Sequence, residues 1–289
     1  MEVVALSSGP LSAEVLPGLG GSLGSLAWHG APVLRGWDGR TRDPNATAMY
    51  PLVPWSNRIS GGGFCHRGRF HALAANRGGE PFPIHGHGWL APWAVIERGR
   101  EAVRLAHEHR VGDGFRYRAT LDYALRESRL EITLAVTHEG SVPLPYGLGL
   151  HPWLPRDRGP VLLEAPASAV WLEGPGHLPA ARLAPPPEGW DFGVARALPS
   201  GWTNNAFEGW AGHARAAWPR RGLELVIEAD AGLGCYMLHT PVGEDFWCFE
   251  PVSHVPDAHN RDQAGLRVLA PGESWGVAAR FRVRDRCSG

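Results

Sequence analysis

The stretch Tyr117-Arg118-Ala119-Thr120-Leu121-Asp122-Tyr123, followed after Arg126-Glu127-Ser128 by Leu130-Glu131-Ile132-Thr133-Leu134-Ala135-Val136, decides the fold. It lies within residues 115–139, the longest run free of both Gly and Pro, where a helix would have its best chance. Its apolar residues instead recur at every second position, the period of a half-buried strand. Two such runs around a short polar joint predict an antiparallel hairpin. The same period returns near the C-terminus, where Val277, Ala279, Phe281 and Val283 are interleaved with Arg280, Arg282 and Arg284. Weaker strand patterns cover 93–97, 102–107, 223–228 and 235–239. With 38 Gly and 26 Pro among 289 residues, long helices have little room, and hairpins and meanders replace β-α-β units. The expected fold class is all-β, a large antiparallel β-sandwich, forming a single domain over 1–289. The Pro-rich segments 41–54 and 178–189 are expected to be long surface loops, because a packed strand has no place for so many Pro.

Composition narrows the chemistry. The chain carries 28 basic and 29 acidic residues for a net charge of −1, and every basic residue is Arg. Without a lysine amine there is no Schiff base, no pyridoxal-phosphate anchor and no nucleotide-binding loop of the G-x-x-x-x-G-K-[ST] kind. Interspersed charge offers no footprint for nucleic acid or an anionic membrane, which leaves a small, weakly charged partner. Cys65, Cys235, Cys248 and Cys287 are scattered with no C-x-x-C pair, so reduced thiols in the cytoplasm are expected rather than a disulfide framework. The opening residues lack a basic segment before an apolar run, and no apolar stretch is long enough to span a membrane.

Reactive side chains collect in four clusters beside Gly and Pro, the composition of loops on a rigid sandwich. They are Pro54-Trp55-Ser56-Asn57-Arg58-Ile59 before Gly61-Gly62-Gly63; Ile84-His85-Gly86-His87-Gly88-Trp89; Gly147-Leu148-Gly149-Leu150-His151-Pro152-Trp153; and Phe249-Glu250-Pro251-Val252-Ser253-His254 through Asp257 and Asn260. An aromatic ring lies in or beside each, and aromatic faces next to hydrogen-bonding groups suit a sugar ring. His85-x-His87 could be a pair of metal ligands, as in cupins, but no Glu follows until Glu97. No G-x-S-x-G elbow is present. A pair of carboxylates for glycosidic cleavage stays open, since their separation is not a property of sequence.

Taken together, the clusters resemble the aldose 1-epimerase (galactose mutarotase) family, in order from about Val15 to Phe281. Asn57-Arg58-Ile59 with the Gly-rich run and Phe64 is similar to N-R-I-x-x-G-x-F, and Ile84-His85-Gly86 to L-H-G. Gly149-Leu150-His151-Pro152-Trp153 is similar to the family's histidine loop, and Glu250-Pro251 with Pro256-Asp257-Ala258 and Asn260 to E-P-x…P-D-A-x-N. Leu269-Ala270-Pro271-Gly272-Glu273 matches L-x-P-G-E before the last strand.

The resemblance implies a mutarotase that opens and recloses the ring of a free aldose with one base and one acid, needing no metal and no cofactor. It implies Glu250 as base and His151 as acid, with Arg58 fixing sugar hydroxyls, His85 either bonding the ring-oxygen region or sharing the acid role, and Asn57 shaping its loop. In Thr203-Asn204-Asn205-Ala206-Phe207, Asn204 stands where the family often has a hydroxyl-binding Asp, which puts the choice of sugar in question. A hexose 6-phosphate substrate, with Arg58, Arg77 and Arg156 for the phosphate, is the runner-up, and a non-catalytic carbohydrate-binding sandwich the third reading. The expected partner is a monosaccharide, with neither nucleic acid nor membrane, and the protein a monomer or homodimer. His87, His254 and His259 are expected to be structural or to lie at the rim.

Overall fold

The hairpin over 117–138 forms as its alternation requires. In the computed structural model, which describes residues 1–110, 114–156 and 159–285, Leu125 pairs with Leu130, Tyr123 with Ile132 and Leu121 with Leu134. Arg126 pairs with Arg129, so the joint is the two residues Glu127-Ser128, with Glu127 in the left-handed region at φ 51°. Cys287 lies outside the described residues. Among those residues there are strands and 3-10 turns but no α-helix, and so no helix long and apolar enough to cross a membrane.

The hairpin sits in a nine-stranded sheet ordered Arg196–Ala197, Leu162–Glu164, His213–Trp218, Leu223–Ala229, Ser274–Asp285, Arg129–His138, Tyr117–Arg126, Ala102–His109, Ala94–Arg98. Facing it is an eleven-stranded sheet whose central path runs Ser22–Trp28, Met49–Leu52, Gly149–Pro155, Phe246–Val252, Cys235–Thr240, Thr203–Glu208, Ala169–Glu173. Neighbouring strands are antiparallel in both. One apolar cluster joins the facing sides, with Leu121, Tyr123, Leu134 and Phe281 from the smaller sheet and Phe207, Tyr236 and Phe249 from the larger. Phe207 and Tyr236 stack with centroids 4.6 Å apart, and Tyr236 stacks on Phe249 at the same distance. Each such side chain removed from water contributes roughly 1.5–3 kcal/mol before the entropy of ordering is counted.

The strands 93–97, 102–107, 223–228 and 235–239 appear as expected, within a residue or two at their ends, and the C-terminal run does too, starting three residues earlier at Ser274. The loop expectation for 41–54 is corrected. Met49-Tyr50-Pro51-Leu52 is a fully buried strand in the interior of the larger sheet. Trp153 donates its N–H to the Ala48 carbonyl, which makes Tyr50 and His151 the next hydrogen-bonded pair and turns position 51 toward the other neighbour. That neighbour, Ser22–Trp28, pairs with the strand only at Leu23–Met49, so the missing N–H of Pro51 leaves no ladder bond unmade. Part of 178–189 is likewise a strand, Pro179–Leu183, at the edge of the sheet with Pro as its first residue.

The larger sheet is covered on its second side as well. Tyr50, Trp153, Met237, Cys248 and Val252 point away from the main core and form a second cluster under Ile84, Trp89 and Val255. Burial on both sides explains why Phe246–Val252 shows no alternation of apolar and polar residues.

Candidate active site

Cross-strand register builds the floor of the site. The pairing of Gly149 with Val252 and Trp153 with Cys248 sets His151 opposite Glu250, while Tyr50 pairs with His151 and Met237 with Glu250. One row across the second side therefore reads Tyr50, His151, Glu250, Met237. The next row reads Trp153, Cys248, His239, Asn204. His151 Nε2 lies 3.2 Å from Glu250 Oε1, and both side chains are almost fully buried. The His151 ring stacks on Tyr50 with centroids 4.5 Å apart, which fixes its plane. Tyr50 is itself tied down by its hydroxyl, which donates to Asn45 Oδ1 at 2.7 Å.

Two loops close over the floor and hold each other. Asn57 donates its backbone N–H to His85 Nδ1 at 3.1 Å, and the His85 N–H returns to the Asn57 carbonyl at 3.0 Å. Both residues are left-handed, at φ 55° and 60°, a conformation that costs a non-glycine residue of order 1–2 kcal/mol. Gly86 follows at φ 69°, where a Cβ would meet the Val53 carbonyl oxygen at 2.2 Å, so the H-G pair of the loop needs its glycine. Arg58 donates from Nε and Nη2 to both oxygens of Glu80 at 2.8 Å each, a fork that leaves Nη1 toward the Asn57 amide.

The pocket so formed has a volume of about 240 Å³ and is lined by all six residues the sequence selected: Glu250, His151, Arg58, His85, Asn57 and Asn204. His87 diverges from His85, stacking on His109 at 3.7 Å and meeting Trp55 edge-on, so the loop's two imidazoles are not a ligand pair. His254 and His259 are buried supports: the first accepts the Ser56 N–H on Nε2, and the second bonds the Pro145 carbonyl. Asp257 takes the N–H and hydroxyl of Ser60 at 2.8 Å each, and Asn260 donates to the Ser60 and Gly63 carbonyls. The P-D-A-x-N stretch thus clamps the arginine loop from behind. Arg156 does not line the pocket, bonding the Pro199 carbonyl instead.

Six lining residues escaped the sequence reading: Asn45 and Tyr50, both inside the segment read as a loop, and Glu80, His177, Trp202 and His239. Glu173, just behind the wall, escaped it too, accepting from Trp202 Nε1 and Asn204 Nδ2 at 2.6 Å each and also bonding His177. A signal existed for His239 alone. It shares a face with Cys235 and Met237 in a strand the alternation had located, but which face met a pocket required the register.

Burial sets the protonation of the floor. Desolvation raises the Glu250 carboxyl to about 8, with Arg58 pulling it the other way. Desolvation, with His85 and His239 adding to it, holds His151 well below its ordinary value. The resting proton of the pair therefore sits on the carboxyl, with the imidazole nitrogen as acceptor. Glu250 Oε2 and His151 Nδ1 have no hydrogen-bond partner, two buried polar atoms left for something else. His85 is also neutral, lowered by burial and then by Arg58 and Arg77. Since its Nδ1 accepts a backbone N–H, its proton is on Nε2. His151, Cys248 and Glu250 bring ligand-type atoms within 4.8 Å of one another. The Cys248 thiol is pushed up by burial and by Glu250.

A buried carboxyl and imidazole in contact on a sheet floor, under two interlocked loops, can exchange one proton with a ligand at each end. Among known proteins, the family model of aldose 1-epimerases matches residues 2–282. The chain is 35% identical to the uncharacterised protein YphB of Escherichia coli K12 over 291 residues, 98% of this chain and 99% of that one. Its fold superposes with a TM-score of 0.94 on a crystal structure from E. coli K12 described provisionally as an aldose 1-epimerase, at 33% identity over 98% of this chain and 99% of that one. The aldose epimerase homologue of C. elegans, at 19% identity, shares the fold with a TM-score of 0.83 over 98% and 99% of the two chains. On its sequence, its galactose mutarotase-like sandwich and the match along nearly its whole length, the chain belongs to the aldose 1-epimerase family.

Proposed function

We propose that the protein is a mutarotase that interconverts the α and β anomers of an unphosphorylated aldose at the Glu250–His151 pair. The observation that carries this reading is the pair itself, two buried groups 3.2 Å apart that each keep an atom without a partner. Ring opening takes the proton from the C1 hydroxyl, breaks the bond from C1 to the ring oxygen and delivers a proton to that oxygen. Rotation about C1–C2 followed by the reverse transfers gives the other anomer. One proton acceptor and one donor suffice, and after opening the proton of the pair has moved from one partner to the other. Reclosure returns it, so both proton placements occur in every turnover.

In the family-like direction Glu250 is the base and His151 the acid. Starting from the resting placement, the proton first crosses the 3.2 Å contact to His151. Arg58, the charge that draws the Glu250 carboxyl down, favours that crossing. Arg58 and the Nε2–H of His85 hold sugar oxygens as donors, while Asn57 sets the loop that carries them. Trp89 and Trp153 in the lining give apolar surface for the C–H face of a pyranose.

The pairing of the pocket's arginines supports a neutral sugar over a hexose phosphate. Arg58 is forked onto Glu80, and Arg77 onto Asp43 at 2.7 Å and 3.1 Å. A phosphate would have to compete with a carboxylate for each of them. The test is anomer exchange measured by saturation-transfer NMR and polarimetry on freshly dissolved α-glucose, α-galactose and other aldoses. Acceleration over buffer is expected for at least one free aldose, undiminished by excess sugar phosphate. No acceleration for any of them sinks the reading.

A further inference from the structure

The pocket wall opposite His85 and Arg58 differs from it in hydrogen-bond polarity. His239 on the Cys235–Thr240 strand places Nδ1 3.0 Å from the Thr203 carbonyl, an atom that can only accept. The imidazole therefore carries its hydrogen on Nδ1, and Nε2 is left with a lone pair. Burial lowers its basicity, so Nε2 stays unprotonated at neutral pH. The ring is held edge-on by Trp202, with centroids 4.9 Å apart, and by Trp153 at 6.5 Å. Beside it, Asn204 pairs with His239 across the strands and donates Nδ2 to Glu173. An amide whose nitrogen is committed to a carboxylate behind it turns its oxygen the other way. Glu173 remains ionised: burial works upward on it, but hydrogen bonds from Trp202, Asn204 and His177 together hold it below the usual carboxylate range.

We propose that His239 Nε2 and Asn204 Oδ1, the latter oriented by Glu173, form a hydroxyl-accepting edge of the pocket that selects an aldose whose hydroxyls at that end are free to donate. A carboxylate thus stands behind the amide instead of in its place: Glu173, 31 residues away in the chain, is a positioning residue that fixes Asn204. The edge discriminates against an analogue in which that hydroxyl is removed, alkylated or phosphorylated, because the lone pairs of two acceptors are then left facing no donor or an anion. This rests on the reading of the pocket as a sugar site.

The test uses the intact protein and a series of monodeoxy and monodeoxyfluoro hexoses built on its best aldose, with binding by calorimetry and anomer exchange by NMR. Fluorine cannot donate a hydrogen bond. At the position read by this edge, the deoxy and the deoxyfluoro sugars should therefore both bind roughly tenfold more weakly than the parent. His239→Phe keeps a ring between the two tryptophans and should weaken the parent sugar by a similar factor with kcat little changed, while leaving the affected deoxy sugar as it was. Glu173→Gln should raise KM in the same sugar-selective way. A loss shared equally by every sugar, a deoxyfluoro sugar that binds as well as the parent at each position, or a His239→Phe effect confined to kcat would overturn the proposal. If His239→Phe does not fold, the fluoro comparison on the wild type decides alone. Selective binding without anomer exchange would leave this edge standing and sink the mutarotase reading; exchange without selectivity at any position would do the reverse.

Discussion

Both sheets send every second side chain away from the shared core, with opposite results. On the nine-stranded sheet the outward residues form a ladder of ion pairs open to water, such as Arg104 with Asp122 and Glu97, Arg118 with Glu108, and Arg215 with Glu164. On the eleven-stranded sheet the equivalent positions are Tyr50, His151, Trp153, Glu250, His239 and Asn204, lidded by loops. The backbone geometry is the same. What differs is whether water reaches the face, and that decides whether a carboxylate is a solvated decoration or a group displaced to about 8. Burial under the loops creates the proton-holding pair, and it does so at a cost in stability.

The largest effect should come from removing the pair. Glu250→Gln keeps shape and hydrogen-bonding capacity but cannot ionise, and His151→Ala deletes the partner. Each should lower kcat for anomer exchange by about 10²–10⁴, the usual contribution of a positioned acid or base, with circular dichroism unchanged. Near-wild-type rates in both would reduce the floor of the pocket to the status of the outer ladder.

The same substitution should show the stability cost with its sign. Glu250 has its pKa raised on folding, so the folded state holds the proton more tightly than the unfolded chain. Its contribution is intact below about 4.5 and is lost as pH rises through about 8. Glu250→Gln should therefore be more stable than wild type at pH 9, by up to a few kcal/mol at about 1.4 kcal/mol per unit of displacement, and the gain should vanish below pH 4.5. His151 runs the other way: its pKa is depressed, so stability from keeping it neutral is full above about 6.5 and lost as pH falls below that. Denaturant titrations of the variant and the wild type at several pH values measure both. A pH-independent difference would mean that the carboxyl is not displaced.

Legibility in the sequence follows the same division. The hairpin over 117–138 was readable because one side of it meets water and the other the core, so polarity alternates. Met49–Leu52 and Phe246–Val252 were not readable as faces because both of their sides are buried, and Pro51 disguised the first as a loop. Glu250, His151, Arg58, His85, Asn57 and Asn204 could be picked out because motif order along the chain survives without knowledge of register. Glu80, Glu173 and His239 could not, since each matters through a partner 22, 31 or 36 residues away that only pairing brings near. The mutual grip of Asn57 and His85 is of the same kind, made by left-handed backbone that sequence composition alone does not announce.

A smaller effect sharpens the comparison at the boundary between water and floor. Arg58 is the charge that opposes burial at Glu250, so Arg58→Gln leaves desolvation unopposed and moves the carboxyl further up. In the wild type, kcat/KM should fall above about pH 8, where the carboxyl has lost its proton and the neutral imidazole has none to give. In Arg58→Gln that alkaline limb should shift to higher pH, alongside a raised KM from the lost donor. An unmoved limb would show that the fork onto Glu80 already spends the charge of Arg58.

The smallest effect belongs to the ladder. Arg104 lies 2.6 Å from Asp122 and 3.2 Å from Glu97, the first contact shorter than the 2.8 Å fork of Arg58 onto Glu80, yet its side chain is 44% exposed. Short distance is not strength where water and salt screen both partners and where ordering a long side chain offsets the attraction. Arg104→Gln should leave the melting temperature and anomer exchange indistinguishable from wild type at physiological ionic strength. Measured beside Arg58→Gln, it swaps the same residue type for the same replacement on the opposite sheet, so the two differ in access to water more than in chemistry. A loss of exchange in Arg104→Gln would mean that the core between the sheets carries strain from one outer face to the other, and the contrast would then rest on packing instead of solvation.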